Sequence, residues 1–427
     1  MGDRAAGRAR KTAQGSRRGP MRAGGRTTRA RASGRPPLQL VRTQTRPARD
    51  PLQVMRRSIA LLLLPALTLT LVGIVEVLSA SSVSAYEELG SSFFFFNRQV
   101  IYSAIGVVAL VVAWRLPYRV WQRLSVPLLV ASIGLMLLAL HPAAGTSAYG
   151  ASRWIVFGPI TVQPSELAKL AMVAFTATVL VRKWSHLHEP MHLAIPLAPV
   201  MAIVAGVVLL QRDLGTTVIV VTSVYLVLFA AGVRLRFLFW SGLAGLGASA
   251  ALIFGEAYRR ERFLIALDPW KDPLDKGYQQ IQGYIALGSG GWWGVGLGAS
   301  RQKWQYVPNA HTDFIFAILG EEMGLFGELV VITMFAVLVY AGVRIAMNAS
   351  DTFGRLLAAG ITSWLGVQAI VNLGAVTGLL PITGVPLPFV SFGGSALIVS
   401  LTGIGVLASI ARETGASRRR KARKAAA

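Results

Sequence analysis

In a chain that is 53% hydrophobic and 15% charged, few side chains can do chemistry, so each buried acid or base stands out. Gln163-Pro164-Ser165-Glu166-Leu167-Ala168-Lys169 sets an acid and a base three residues apart, on one face of a helix that starts at the proline. Such a pair is either an internal ion pair that orients the bundle or the polar lining of a substrate cavity, and both readings stay open. Leu267-Asp268-Pro269-Trp270-Lys271-Asp272-Pro273-Leu274-Asp275-Lys276-Gly277 has two Asp-Pro pairs and a closing glycine, the makings of a tight turn. A carboxylate fixed there beside cations can serve as a general base, although an ordinary Asp-Pro turn has the same composition. Glu321 and Glu322 lie about two turns into an apolar run, too deep for capping. An ionisable group in a membrane is costly and usually functional, so at least one should face a polar interior or another helix. Asp213 and Asp313 stand instead at helix starts, where a carboxylate suits the dipole.

The elements that position these groups are membrane spans. A soluble domain carries about 25% charged residues, and a helix crossing hydrocarbon needs about 20 mostly apolar ones. About ten such segments occur, near 58–80, 98–114, 122–140, 164–181, 193–210, 214–231, 237–255, 312–341, 356–378 and 395–411. The fold class expected is all-α, a polytopic membrane protein with a large extracytoplasmic loop, 256–311, between spans 7 and 8. An even number of spans puts both termini on one side. Residues 1–57 carry a net charge of +14 and residues 412–427 one of +6, out of +24 overall. Basic flanks stay in the cytoplasm, and Arg115, Arg119, Arg123, Arg182, Lys183, Arg234, Arg236, Arg344 and Arg355 fall on that same side. Residues 1–57 and 412–427 read as basic tails, the first disordered, around a domain at 58–411. The first tail shows no cleavable signal. Nucleic acid is not expected as its partner, because the tail abuts a span and basic flanks rest on anionic lipid.

The outer loop breaks the charge rule. Arg259, Arg260, Arg262, Lys271, Lys276, Arg301 and Lys303 lie there among five acidic residues. Long outer loops tolerate charge, but these cations also suit the phosphates of a lipid-attached anionic ligand. With no cysteine among 427 residues, disulfides and thiolate chemistry are excluded. No metal-ligating residues are assigned among the five histidines. Gly288-Ser289-Gly290-Gly291-Trp292-Trp293-Gly294 misses a dinucleotide fingerprint. No ATP-binding P-loop exists, which excludes an ATP-driven pump. Pro386-Leu387-Pro388-Phe389-Val390-Ser391-Phe392-Gly393-Gly394-Ser395 reads as a non-helical break packed in protein or lining a cavity.

Taken together, these stretches resemble the SEDS family (shape, elongation, division and sporulation). The resemblance rests on Ala151-Ser152-Arg153-Trp154, Gln163-Pro164-Ser165-Glu166 with Lys169, Asp213-Leu214-Gly215-Thr216, and Asp268-Pro269-Trp270-Lys271-Asp272-Pro273. It continues through Gly277-Tyr278-Gln279, Gly294-Val295-Gly296-Leu297-Gly298, His311-Thr312-Asp313-Phe314, Gly320-Glu321-Glu322 and Thr383-Gly384-Val385-Pro386-Leu387-Pro388-Phe389, and covers residues 58–411. Asn309-Ala310-His311-Thr312-Asp313 looks more like the division branch than the elongation branch. Phe392 stands where tyrosine is commoner.

The resemblance implies a peptidoglycan glycosyltransferase that polymerises lipid II at the outer face of the plasma membrane during septal synthesis. It singles out Asp272 as the catalytic base, in a reaction that inverts the donor's anomeric centre. Substrate binding would fall to Arg153, Glu166, Lys169, Arg259, Arg260, Arg262, Lys271, His311 and Ser391. No cofactor is demanded; a divalent cation, Mg or Mn, could share the charge stabilisation. The implied partners are a class B penicillin-binding protein supplying transpeptidase activity and other membrane proteins of the division machinery. Two other readings compete: a lipid II flippase, and a non-catalytic scaffold for that transpeptidase.

Overall fold

The structure, a computed structural model, describes residues 51–426 apart from 142–144, 149, 150 and 159. Outside it also lie the side chains at 51–54, 145–148, 151, 152, 157, 160, 252, 253, 258, 259, 262, 421–423, 425 and 426. The disorder expected for residues 1–50 therefore falls outside the described residues.

The chain opens with α1 (Pro51–Leu89), α2 (Phe94–Arg115) and α3 (Arg119–Leu140). A small antiparallel sheet follows, β1 (Gly145–Ala148), β2 (Ala151–Phe157) and β3 (Ile160–Val162). Then come α4 (Pro164–Arg182), α5 (Pro190–Leu210), α6 (Leu214–Ala231) and α7 (Leu235–Phe254). The large loop holds α8 (Ala257–Leu267) and α9 (Tyr278–Gly290), and the chain ends with α10 (Ile315–Asn348), α11 (Thr352–Val376) and α12 (Gly394–Ala426).

Among the described residues, nine helices are long and apolar enough to cross a membrane: α1 to α6, α10, α11 and α12. The remaining expected span coincides with α7, which is 20 residues long. Every expected span thus has its helix. The sheet and the two loop helices are additions, because strands of three to seven residues are too short to show a period. The last helix runs on through the second basic tail, whose Ala, Arg and Lys residues are strong helix formers.

Local signals set the helix ends. Pro164 takes the first position of α4, where its missing N–H costs nothing. Asp213 caps α6, accepting from the Thr216 amide and hydroxyl, each at 2.9 Å, and α6 stops at left-handed Gly232. Asp351 caps α11 through the Gly354 amide at 2.7 Å and also receives the Tyr118 hydroxyl at 2.7 Å and Arg119 at 2.9 Å.

At the centre is α4, buried from Pro164 to Leu180 except for two residues, and packed against α3, α5, α6, α11 and α12. In contrast, α7 presents Leu235, Phe239, Trp240, Leu243 and Leu246 outward and touches mainly α6 and α8. A helix so apolar and so little covered by protein is solvated by lipid.

The long α10 is broken at Gly324, whose φ of 64° lies in the left-handed region. The break orphans backbone groups, and the glycine-rich strand after α9 takes them up. Val295 and Gly296 donate to the carbonyls of Glu321 and Glu322 at 3.0 and 3.1 Å, while Leu325 and Phe326 donate to those of Gly291 and Trp292 at 2.9 and 3.2 Å. A Cβ on Gly294 would stand 2.1 Å from the Glu322 carbonyl oxygen. The glycines here permit backbone to touch backbone.

Candidate active site

The loop between α8 and α9 folds back on itself. Pro269–Lys271 makes a single tight helical turn after Asp268, and Asp272 closes it. The Gly277 amide donates to the Asp272 carbonyl at 2.8 Å. A Cβ at Gly277 would meet the Pro269 carbonyl oxygen at 2.0 Å and that of Asp272 at 2.8 Å, so only glycine closes this turn. Asp272 is therefore held by its backbone, while its half-buried side chain is left available. Lys271 pairs with Asp268 at 3.8 Å. Lys276 pairs with Glu261 of α8 at 2.7 Å and lies within the fields of Asp275 and Asp272. The bond from Lys276 holds the Glu261 carboxyl below its usual range.

Beside this turn lies a cleft of about 290 Å³. Its walls are Glu261 and Ile265 of α8, Asp275 and Lys276 of the turn, Tyr278, Gln279 and Gln280 of α9, and Pro308 and Ile382 from neighbouring loops. Arg260 is exposed on α8. Arg259 and Arg262 lie on the same helix, with side chains outside the described residues. Lys276, Glu261 and Tyr278 were not singled out as site residues from sequence. Their signal was present, since they stand within a few residues of the loop's Asp-Pro pairs or on the preceding basic helix.

The other candidates group elsewhere. Glu166 and Lys169 are buried, with the ammonium 2.8 Å from the carboxylate. Lys169 also donates to Gln368 of α11 at 2.7 Å and sits 5.5 Å from the Trp364 ring centroid. Trp364 donates to the same Gln368 oxygen at 2.9 Å, and the Gln368 amide reaches the Pro386 carbonyl at 3.0 Å. This network ties α4 to α11 and to the non-helical break. Arg153, projecting from β2, is 3.7 Å from Asp213 and donates to the carbonyls of Gln211 and Arg212. Asp213 thus receives a cation as well as capping α6.

His311 packs between Phe95 and Phe392, with ring centroids at 4.5 and 5.8 Å. Burial pushes its imidazole down to about 4, so it is neutral at physiological pH. Its carbonyl accepts from the Phe392 amide at 2.9 Å. The Ser391 hydroxyl is engaged by the Leu387 amide at 2.8 Å, so the break at 386–395 is internally tied.

Both Glu321 and Glu322 face polar partners. Glu321 accepts from the Ser300 hydroxyl and the Arg301 and Gln302 amides. Glu322 accepts from Ser79 of α1 at 2.6 Å, from the Gly298 amide at 2.8 Å and from the Ser300 amide, with Lys303 at 3.9 Å. Two carboxylates inside α10 thus anchor the segment 298–303. Glu76 of α1, buried and within the fields of Glu322 and Lys303, belongs to the same cluster. The signal for it was a lone acid inside the first apolar run. Among the described residues, no three His, Asp or Glu side chains stand together as a metal cage.

Comparison with known proteins supplies the lineage. A family model described as "Cell cycle protein", covering FtsW, RodA and SpoVE, matches residues 59–416. The chain is 43% identical over 350 residues to the probable peptidoglycan glycosyltransferase FtsW of Geobacter sp. (strain M18), covering 82% of this chain and 95% of that one. It is 40% identical over 352 residues to stage V sporulation protein E of Bacillus subtilis (strain 168), covering 82% and 96%. Among solved structures, a chain of a peptidoglycan synthase complex that coordinates polymerization and crosslinking aligns with a TM-score of 0.66 at 30% identity, covering 83% and 97%. The rod shape determining protein RodA of Thermus thermophilus aligns with a TM-score of 0.60 at 28% identity, covering 82% and 96%. Sequence, span order and fold agree, and this chain belongs to the FtsW/RodA/SpoVE family of cell cycle proteins.

Proposed function

We propose that this protein is a peptidoglycan glycosyltransferase of septal cell-wall synthesis, which polymerises lipid II on the outer face of the plasma membrane with both termini in the cytoplasm. The observation that carries the reading is the Asp272 turn, a carboxylate held by a glycine-closed backbone beside a cleft and among lysines. The relatives named as glycosyltransferases support it.

A sugar hydroxyl is a weak nucleophile and needs a base in the transition state. Asp272 would take its proton as the hydroxyl attacks the anomeric carbon from the side opposite the departing pyrophosphate, which inverts that centre. Negative charge then grows on the pyrophosphate, and fixed cations at the loop stabilise it. Arg260, Lys271 and Lys276 stand on the loop for this task, together with Arg259 and Arg262 of the same helix. Arg153 is committed to Asp213 and two carbonyls, which suits a positioning role at the rim better. If a Mg or Mn ion takes part, Asp272 or Asp275 would hold it jointly with pyrophosphate oxygens, the usual way such hard cations bind. The fold's likeness to a chain of a synthase complex supports a class B penicillin-binding protein as partner and lends weight against a scaffold-only role.

The test is glycan-strand synthesis from labelled lipid II by the purified protein with its cognate class B penicillin-binding protein. Wild type should make polymer and Asp272→Asn none. Polymer from a folded Asp272→Asn sample would remove Asp272 as the base. No polymer from either would reopen lipid II transport.

A further inference from the structure

Three of the chain's five histidines fall within seven residues: Trp184-Ser185-His186-Leu187-His188-Glu189-Pro190-Met191-His192. This stretch joins α4 to α5 at the end of the bundle opposite the Asp272 turn. It is fastened there by buried Leu187 and by Trp184, whose ring lies 5.3 Å from the Arg355 guanidinium. Nothing in the glycosyltransferase chemistry uses it.

The geometry of the stretch is specific. Trp184–His186 forms one short helical turn, Glu189 precedes α5, and Pro190 opens it. That brings the His186 and His192 rings into a stack, with centroids 4.9 Å apart and planes 25° apart. Each Nδ1 already has a partner. His192 Nδ1 is 2.7 Å from Glu189 Oε2, and His186 Nδ1 is 2.9 Å from the Ser185 hydroxyl. With the proton on Nδ1, each ring donates there and keeps the lone pair of Nε2 for another ligand. A histidine whose second nitrogen is held by a carboxylate or hydroxyl is the usual supported metal ligand.

We propose that His186 and His192, with Glu189 orienting His192 and His188 supplying a third nitrogen, bind a divalent transition-metal ion of the zinc class. Only the two stacked imidazoles stand together in this structure, and no three-residue set is closed. His188 is exposed, and the side chains of His192 and Glu189 are 50% and 56% exposed, so the third ligand reaches the site by side-chain rotation. Imidazole donors favour zinc, nickel and copper, whereas magnesium and calcium prefer oxygen. The site is thus distinct from any cation that would act on pyrophosphate. His188-Glu189-Pro190-Met191-His192 also has the spacing of the zinc-protease motif, but that motif needs both histidines on one helical face. Pro190 starts the helix between them, and Glu189 is spent on His192. The arrangement supports binding and not hydrolysis.

The experiment uses the full chain in lipid nanodiscs, purified without a polyhistidine tag. Zn²⁺ is titrated in competition with a chromophoric chelator, and Co²⁺ absorption reports nitrogen ligation. Wild type should retain one equivalent of Zn²⁺ against excess Mg²⁺ and give a Co²⁺ ligand-field band. His186→Ala with His192→Ala should lose both signals while remaining monodisperse. Glu189→Gln should weaken binding by about 10- to 100-fold, the usual effect of removing an outer carboxylate. Undiminished Zn²⁺ in the double variant, no Zn²⁺ held by wild type, or many weak equivalents in place of one would each overturn the site.

Discussion

Replacing Lys169 by Met tests whether the α4–α11 network is architecture or substrate site. The ammonium and the Glu166 carboxylate are each 1% exposed in their side chains and 2.8 Å apart. Met nearly keeps the volume but leaves Glu166 as a buried charge without its counter-ion, which costs about 3–5 kcal/mol. Gln368 loses one donor but keeps the bond from Trp364, so little is added to that cost. Glu166→Gln in the same chain removes the stranded charge, and a neutral pair of similar shape should come back to within about 1 kcal/mol of wild type, because a buried pair seldom outweighs its desolvation. The assay is reversible unfolding in mixed micelles with rising dodecyl sulfate, read as a double-mutant cycle. A coupling energy near zero, or a double variant as unstable as Lys169→Met, would refute the reasoning. Polymer synthesis by the double variant then separates the two roles. A stable, active double variant makes the network structural; a stable, inactive one makes Glu166 and Lys169 part of the substrate site.

Other outcomes follow from the same geometry. Gly277→Ala forces a Cβ to within 2.0 Å of a carbonyl oxygen, so the turn must open. A displacement of about 1 Å there should cut kcat/KM by about 10²-fold with little change in melting, and an unchanged rate would show that the turn does not position Asp272. Glu322→Gln should weaken the grip on Gly298 and Ser300, and faster amide exchange over 294–303 than in wild type checks this. His311 has its ordinary value of 6.5 lowered to about 4 by burial. Its burial as a neutral ring therefore supports the fold fully above pH 6.5, and that support falls away as the pH drops towards 4. The loss over that window is about 3 kcal/mol, and His311→Phe should abolish that part of the pH dependence of unfolding.

How much of this was legible in the chain follows from the range of each interaction. The spans at 164–181 and 214–231 agree with α4 and α6 to within a residue, because helix length in a bilayer is a property of the segment alone and the caps Pro164 and Asp213 are local. The Asp272 turn was legible as a turn from its Asp-Pro pairs and glycine, and its chemical role only through family resemblance. The sheet at 145–162, the pairing of Arg153 with Asp213, and the carbonyls of Glu321 and Glu322 taken up by Val295 and Gly296 were not legible, since each joins residues whose separation no period records.

The amino-acid sequence by itself determined that the chain crosses a membrane about ten times, that charge gathers in one large loop, and which carboxylates lie where hydrocarbon would forbid them. Burial and propensity act on each residue within a few turns of itself, so composition and order suffice for these. Tertiary structure alone decided the partners of those carboxylates. It sent Glu166 to Lys169 and Gln368, gave Glu322 to Ser79 and the 298–300 amides, and left Asp272 at the edge of a cleft. An unpaired charge in the interior must find its counterpart, and which one lies within reach depends on how distant helices pack.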